Sequence, residues 1–261
     1  MKKIVSFLCA VLMTVPAWSM SFDEAESFWE TRGENVVNAL SASKMYGELA
    51  KTEATGSYER AEVLLLQTEA LFFYADASAS LELKKKYHKI GEDIALNAVR
   101  IFEREGDSEN TSLSYFWAGA HLGKWGVANG VLASLFKVKT VRKYIDGIKD
   151  NDGEELMAFG YNRLLGQLLF KLPWPKGDKK KALRLAKEGF ENTINEDFGV
   201  SEHGLNNLYY AESLIAAGKK GLARKILSKF VAISNYEDFN SERIPETKSE
   251  QAKARKMLAN L

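Results

Sequence analysis

The stretch YFWAGAHLGKWGVANG, residues 115–130, decides how the rest of the chain is read. It is rich in aromatics and glycines at once. Turned on a helix at about 100° per residue, Gly119, Gly123, Gly126 and Gly130 share one narrow stripe. Trp117, His121, Lys124 and Ala128 fall on the opposite side, and Trp125 lies between. Each interior glycine costs a helix roughly 1 kcal/mol relative to alanine. A helix that had only to be stable has no use for four of them. Two readings stay open. The stripe lets a neighbouring helix pack closely, or it forms the wall of a cavity or channel fitted with Trp117 and Trp125.

Outward from this stretch the chain reads as helix nearly throughout. Ser21-Phe22-Asp23-Glu24 has the form of a capping box. Asn35 to Lys51 continues as helix, and Thr55-Gly56-Ser57 breaks it. Tyr58 to Ala79 is apolar nearly all round at Val63, Leu64, Leu65 and Leu66, which requires burial on most sides. Leu81 to Glu105 is its partner, ended by Gly106-Asp107. The glycine-striped helix occupies 110–133 and Phe136 to Ile148 follows. Asp150-Asn151-Asp152-Gly153 is a turn. Glu154 to Lys171 is helical, LPWPKGD (172–178) is a loop with an extended backbone around Trp174, and Lys179 to Asn195 is helical. A loop at 196–203 leads to a hairpin of Gly204 to Ala217 and Gly221 to Ser234. A short helix, Glu246 to Ala259, follows Pro245. Alternating β-branched runs with turn pairs are nearly absent. The fold class is all-α.

Helix hairpins near 57–105, 110–149, 154–195 and 204–234 make degenerate internal repeats. Ala182 and Ala223 occupy matching places, longer in period than the 34 residues of an uninterrupted tetratricopeptide unit. Such units share a continuous core with their neighbours. The expectation is one right-handed, tetratricopeptide-like solenoid over 20–261.

The N-terminus has the form of a secretory signal peptide: Lys2 and Lys3, an apolar run from Ile4 to Val15, then Ala17 and Ser19 at −3 and −1. Cleavage before Met20 predicts a periplasmic protein, with 1–19 removed. The run is too short to span a bilayer, and no other run is long enough. Cys9 leaves with the leader, so no disulfide, thiolate metal site or cysteine nucleophile remains. The chain has 36 basic and 35 acidic residues; without Lys2 and Lys3 the balance is 34 to 35. That near-neutrality argues against a nucleic-acid partner.

No catalytic pattern is present. His88, His121 and His203 are not paired at helical spacing, and no nucleophile elbow, phosphate-binding loop or dinucleotide fingerprint occurs. The sequence thus predicts a protein that is not an enzyme and uses no metal or cofactor. What remains is binding. Trp117, Trp125, Trp174, Tyr161 and Phe170 are large rings in the central third, with Lys124 and Arg163 as nearby cations and Asn129 and Asn162 as amides. A mostly apolar pocket with a few polar groups suits a small ligand.

Three of these stretches carry a resemblance. LGKWG followed by ANG and LASLF, ELMAFGYNRLLGQLLFKLPWPKGDKKKAL (155–183), and YYAESLIAAGKKGLARKIL (209–227) resemble the periplasmic T component of tripartite TRAP transporters. The similarity spreads over most of 57–234. It implies an array of tetratricopeptide-like hairpins with an internal channel for an apolar ligand. It also implies a partner, the extracytoplasmic substrate-binding subunit of the transporter. The ligand-binding candidates are Trp117, Gly123, Lys124, Trp125, Asn129, Tyr161 and Arg163, of which the resemblance bears on the LGKWG and NRLLG positions; Trp174, on a loop stiffened by Pro173 and Pro175, is the partner-binding candidate. A helical-repeat scaffold without a small ligand is the alternative, and self-association into a homo-oligomer stays open.

Overall fold

The computed structural model describes residues 16–261, without the side chains of 16–21 and 131–134. It is all-α: successive helices pack against their neighbours as hairpins, with one two-stranded ribbon. The basic and apolar parts of the expected leader, residues 1–15, lie outside the described residues. The described chain divides into two compact units, one ending at Asp107 and one running from Ser108 to Leu261.

In the first unit, α1 (Pro16–Glu30) leads through a 3-10 turn (Thr31–Gly33) to α2 (Val36–Thr52), α3 (Tyr58–Ala77) and α4 (Leu81–Glu105). Ser21 therefore lies inside α1 and does not cap it. The later starts follow the sequence closely. Asn35 accepts from the Val37 N–H at 3.0 Å, Ser57 from Arg60 at 3.2 Å and Ser80 from Leu83 at 3.3 Å, each meeting a donor that a helix start leaves over. The apolar α3 is packed between α2 and α4. Ala39, Ala42, Ala95 and Ala98 keep the backbones close. Two hydroxyls then reach across to carbonyls of the next helix: Ser43 to Gln67 at 3.1 Å, and Thr68 to Gly91 at 2.9 Å.

The second unit begins with α5 (Ser108–Asn129) and α6 (Val131–Lys149), continues with α7 (Leu156–Lys171) and α8 (Lys179–Glu191), and then forms a ribbon of β1 (Ile194–Asn195) and β2 (Val200–Ser201). After it come α9 (Gly204–Ala216), α10 (Lys220–Val231), the short α11 (Tyr236–Asn240), a 3-10 turn (Ser241–Arg243) and α12 (Ile244–Ala259). The ribbon pairs antiparallel, Ile194 with Ser201 and Asn195 with Val200, where the sequence suggested helix and then loop. Phe190, Leu208, Leu214, Leu227, Phe230 and Phe239 form the core of the C-terminal helices.

The glycine-striped helix is shorter than its pattern suggested. Gly130 has φ 86°, a left-handed conformation that ends α5 and starts α6. The close approaches run the other way from the stripe. Tyr115 and Phe116 of α5 lie on Gly147 of α6 and Gly160 of α7, where an added Cβ would sit 2.6 Å from each ring. Of the stripe itself, Gly119 faces Leu164, with 3.0 Å to a Cβ built there. Gly123 is exposed and would meet nothing within 4 Å; Val127, one turn on, is 74% exposed.

Candidate functional site

Two features of the second unit stand out, one on its surface and one inside. The surface feature is the turn joining α7 to α8. Pro173 and Pro175 bracket Trp174, and the Trp174–Pro175 peptide is cis. The backbone is a tight turn and not the extended segment that two prolines suggested. The Lys176 and Gly177 N–H groups both donate to the Pro173 carbonyl, at 3.1 and 3.0 Å, and Asp178 N–H donates to Leu169 at 3.1 Å. Gly177 is required there, because any Cβ would run into the Leu172 carbonyl. The Trp174 side chain stands 89% exposed on this turn.

The internal feature centres on Arg163. Its guanidinium is buried, yet among the described residues it forms no ion pair. Nη1 donates to the Ala158 carbonyl at 2.6 Å and to Asn206 Oδ1 at 3.2 Å, and Nη2 donates to the Met157 carbonyl at 2.5 Å. Those carbonyls come from an unusual start to α7. Met157, Ala158 and Phe159 all have positive φ, 53°, 52° and 62°. Each non-glycine residue in that region costs of order 1 kcal/mol or more. The strain is tied to a function-like geometry: it turns two consecutive carbonyls onto one cation. Asn206 completes the support, donating to the Ala158 and Gly189 carbonyls at 3.1 and 3.0 Å and to Thr193 Oγ1 at 3.0 Å.

Burial first, and then the Arg243 charge, lower the Arg163 pKa to about 9, so it stays a cation at neutral pH. The same causes, burial and then Arg163 and Arg243, hold His203 well below its ordinary value, so its ring is neutral. Burial raises Glu250, against the pull of Arg243, whose Nη2 lies 3.3 Å from Glu250 Oε1. Four buried polar atoms here have no hydrogen-bond partner: His203 Nδ1, Arg243 Nε, Thr247 Oγ1 and Glu250 Oε2. Gly204 makes room for the Glu250 carboxylate, which a Cβ at that position would hit.

Between α7, α8 and α9 runs a crevice lined by Asn162, Arg163, Gln167, Asn206, Tyr209 and Ser213, with Gly166 and Gly189 in its walls. Its unfilled space is about 270 Å³ with the mouth included, but the enclosed part admits only about one water.

The sequence candidates separate on this geometry. Arg163 sits in the crevice. Tyr161, on the same helix, is half-buried, and burial followed by the charges of Glu154, Asp146 and Glu188 raises its pKa. Trp117 is buried in α5. Lys124, Trp125 and Asn129 are half-buried near the end of α5, where Asn129 Nδ2 donates to the Trp125 carbonyl at 2.9 Å and Lys137 Nζ lies 5.8 Å from the Trp125 ring. Gly123 faces the surface. Asn206, Arg243, Thr247 and Glu250 carried no signal in the sequence, because the cluster joins positions far apart in the chain. Among the described residues no group of three or more His, Asp or Glu could hold a metal ion. Comparison of the chain with protein-family models and with curated proteins returns no match.

Proposed function

We propose that the chain is a non-enzymatic, periplasmic binding component of a TRAP-type transport system, and that it docks the extracytoplasmic substrate-binding subunit through the Trp174 turn. The observation that carries this is the exposure of Trp174. Trp29, Trp117 and Trp125 are at least half-buried, whereas this one is held in water on a short turn closed by three backbone hydrogen bonds. Tryptophan is enriched among the few residues that dominate binding energy, and a side chain on a fixed turn loses little freedom on binding. The resemblance over 57–234 falls on the hairpins from α3 to α10, which supports the family reading.

The test is titration of the purified protein with the extracytoplasmic substrate-binding subunit of a TRAP-type transporter. Trp174→Ala is expected to weaken the complex at least tenfold, about 1.4 kcal/mol, and to leave the thermal melt within about 1 °C of wild type. An unchanged affinity, or a melt lowered by several degrees, overturns the reading.

One observation favours the scaffold alternative for the small ligand. Trp117 is packed into the helices and Gly123 looks out at the surface, so neither borders the crevice. Native mass spectrometry of protein taken from its own envelope separates the two. A bound lipid-like mass supports an apolar ligand; protein mass alone supports a scaffold that binds only its partner.

A further inference from the structure

We propose that the crevice between α7, α8 and α9 is a binding site for a small carboxylate anion, with the Arg163 guanidinium as its anchor.

The argument begins with charge. Arg163 is 7% exposed and has no carboxylate partner. The nearest acidic group of this region, Glu250, is engaged by Arg243 at 3.3 Å. Among the described residues of this cluster Glu250 is the one buried carboxylate, beside two arginines, and His203 adds no negative charge. An unpaired buried cation is costly, and carbonyl dipoles offset only part of that cost. A bound anion would supply the missing charge.

Donor bookkeeping points the same way. A guanidinium has five N–H donors. Ala158, Asn206 and Met157 take both hydrogens of Nη1 and one of Nη2. Among the described residues the Nε–H and the second Nη2–H have no hydrogen-bond acceptor, and such a pair can be accepted by the two oxygens of a carboxylate. Ser213 lines the same crevice and is buried. Gln167 stands beside it, with Nε2 donating to Glu212 at 3.1 Å.

The site is also fixed before any ligand arrives. The left-handed run Met157–Phe159 holds the two carbonyls on Nη1 and Nη2, and Asn206 ties that run to Gly189 of α8. Arg163 thus has one orientation, and an anion meets a preorganised donor pair. Size narrows the class. The enclosed part, with room for about one water, seats at most a carboxylate oxygen, so the rest of a formate, acetate or longer acid occupies the open mouth.

This inference goes beyond the partner-docking proposal and can fail independently of it, because its test needs no partner. The full-length protein is titrated with acetate, with acetamide as the neutral isostere, and binding is followed by ligand-observed NMR. Wild type is expected to bind acetate saturably in the millimolar range and acetamide at least tenfold more weakly. Arg163→Gln is expected to lose at least tenfold in acetate affinity. If that variant fails to fold, Gly166→Ala decides: an alanine Cβ there meets the Ala182 carbonyl and Leu185 at 3.7 Å, which is ordinary contact, so the fold is kept while the crevice is narrowed. It too is expected to weaken acetate at least tenfold. No saturable acetate binding by wild type, equal binding of acetamide, or unchanged affinity in a folded Arg163→Gln or Gly166→Ala variant would overturn the proposal.

Discussion

His203 and Glu250 are buried in the same cluster, and their titrations pull stability in opposite directions. Burial, with Arg163 and Arg243 next, depresses the His203 pKa below its ordinary 6.5. The folded state therefore prefers the neutral ring. The stability tied to that preference is complete above about pH 6.5 and is lost as pH falls from there, by about 1.4 kcal/mol per pH unit at most. Glu250 is raised above 4.5, mainly by burial. Its folded state prefers the protonated acid, so its contribution is present at low pH and is lost as pH rises through the raised value. The two effects have opposite signs, and only the histidine effect disappears in His203→Asn. Urea midpoints at pH 7.5, 6.5 and 5.5 read this out. Wild type is expected to lose more stability on acidification than His203→Asn. Parallel decline in the two proteins would show that His203 does not titrate as its burial demands.

At the scale of elements, the sequence located helices well and misjudged what their glycines do. The starts at Asn35, Ser57 and Asp178 were legible because capping is local: a side-chain oxygen meets an N–H two or three residues on. The glycine stripe was legible as a pattern but not as a surface. Helical periodicity says which residues share a face and leaves open what covers that face. Here the face turns from Leu164 at Gly119 to open water at Gly123, and the aromatics of α5 find their glycines on α6 and α7. The Arg163 site was legible only in its anchor and the adjacent Asn162, because Asn206, Arg243, Thr247 and Glu250 reach it through tertiary packing. The contrast between the two kinds of glycine is measurable. Gly123→Ala adds a methyl group in open space and is expected to raise stability by up to about 1 kcal/mol, from helix propensity and the unfolded chain. Gly147→Ala drives a Cβ to 2.6 Å from the Tyr115 ring and is expected to cost about 1–3 kcal/mol. Denaturant unfolding of both variants checks the signs; a destabilised Gly123→Ala would mean that the α5 face is covered.

At the scale of the molecule, hairpins succeed one another along the chain, yet the packing gathers into two units divided after Asp107. The boundary falls on the Gly106-Asp107 turn. Gly106 adopts φ 73°, and its N–H and that of Asp107 close the end of α4 on the Glu103 and Phe102 carbonyls, at 3.3 and 3.0 Å. Downstream of it lies a complete set of supports for the Arg163 site: the α7 start, α8, the ribbon, α9 and α12. The ribbon belongs to that set. Asn207 exchanges two hydrogen bonds with the Ser201 backbone, at 3.0 and 2.8 Å, and so fixes where His203 begins α9. Gln251 of α12 then donates to the Phe230 and Ile233 carbonyls, at 2.8 and 2.9 Å, closing the end of α10. A segment that carries its own core and satisfies its own helix ends has the makings of an independent folding unit. The fragment 108–261 is therefore expected to be helical by far-UV circular dichroism and to unfold in one cooperative urea transition. A fragment that is soluble but melts without cooperativity would place its stability in the preceding helices, as a continuous repeat array requires. In that case the two units would be parts of one array and not two folding units.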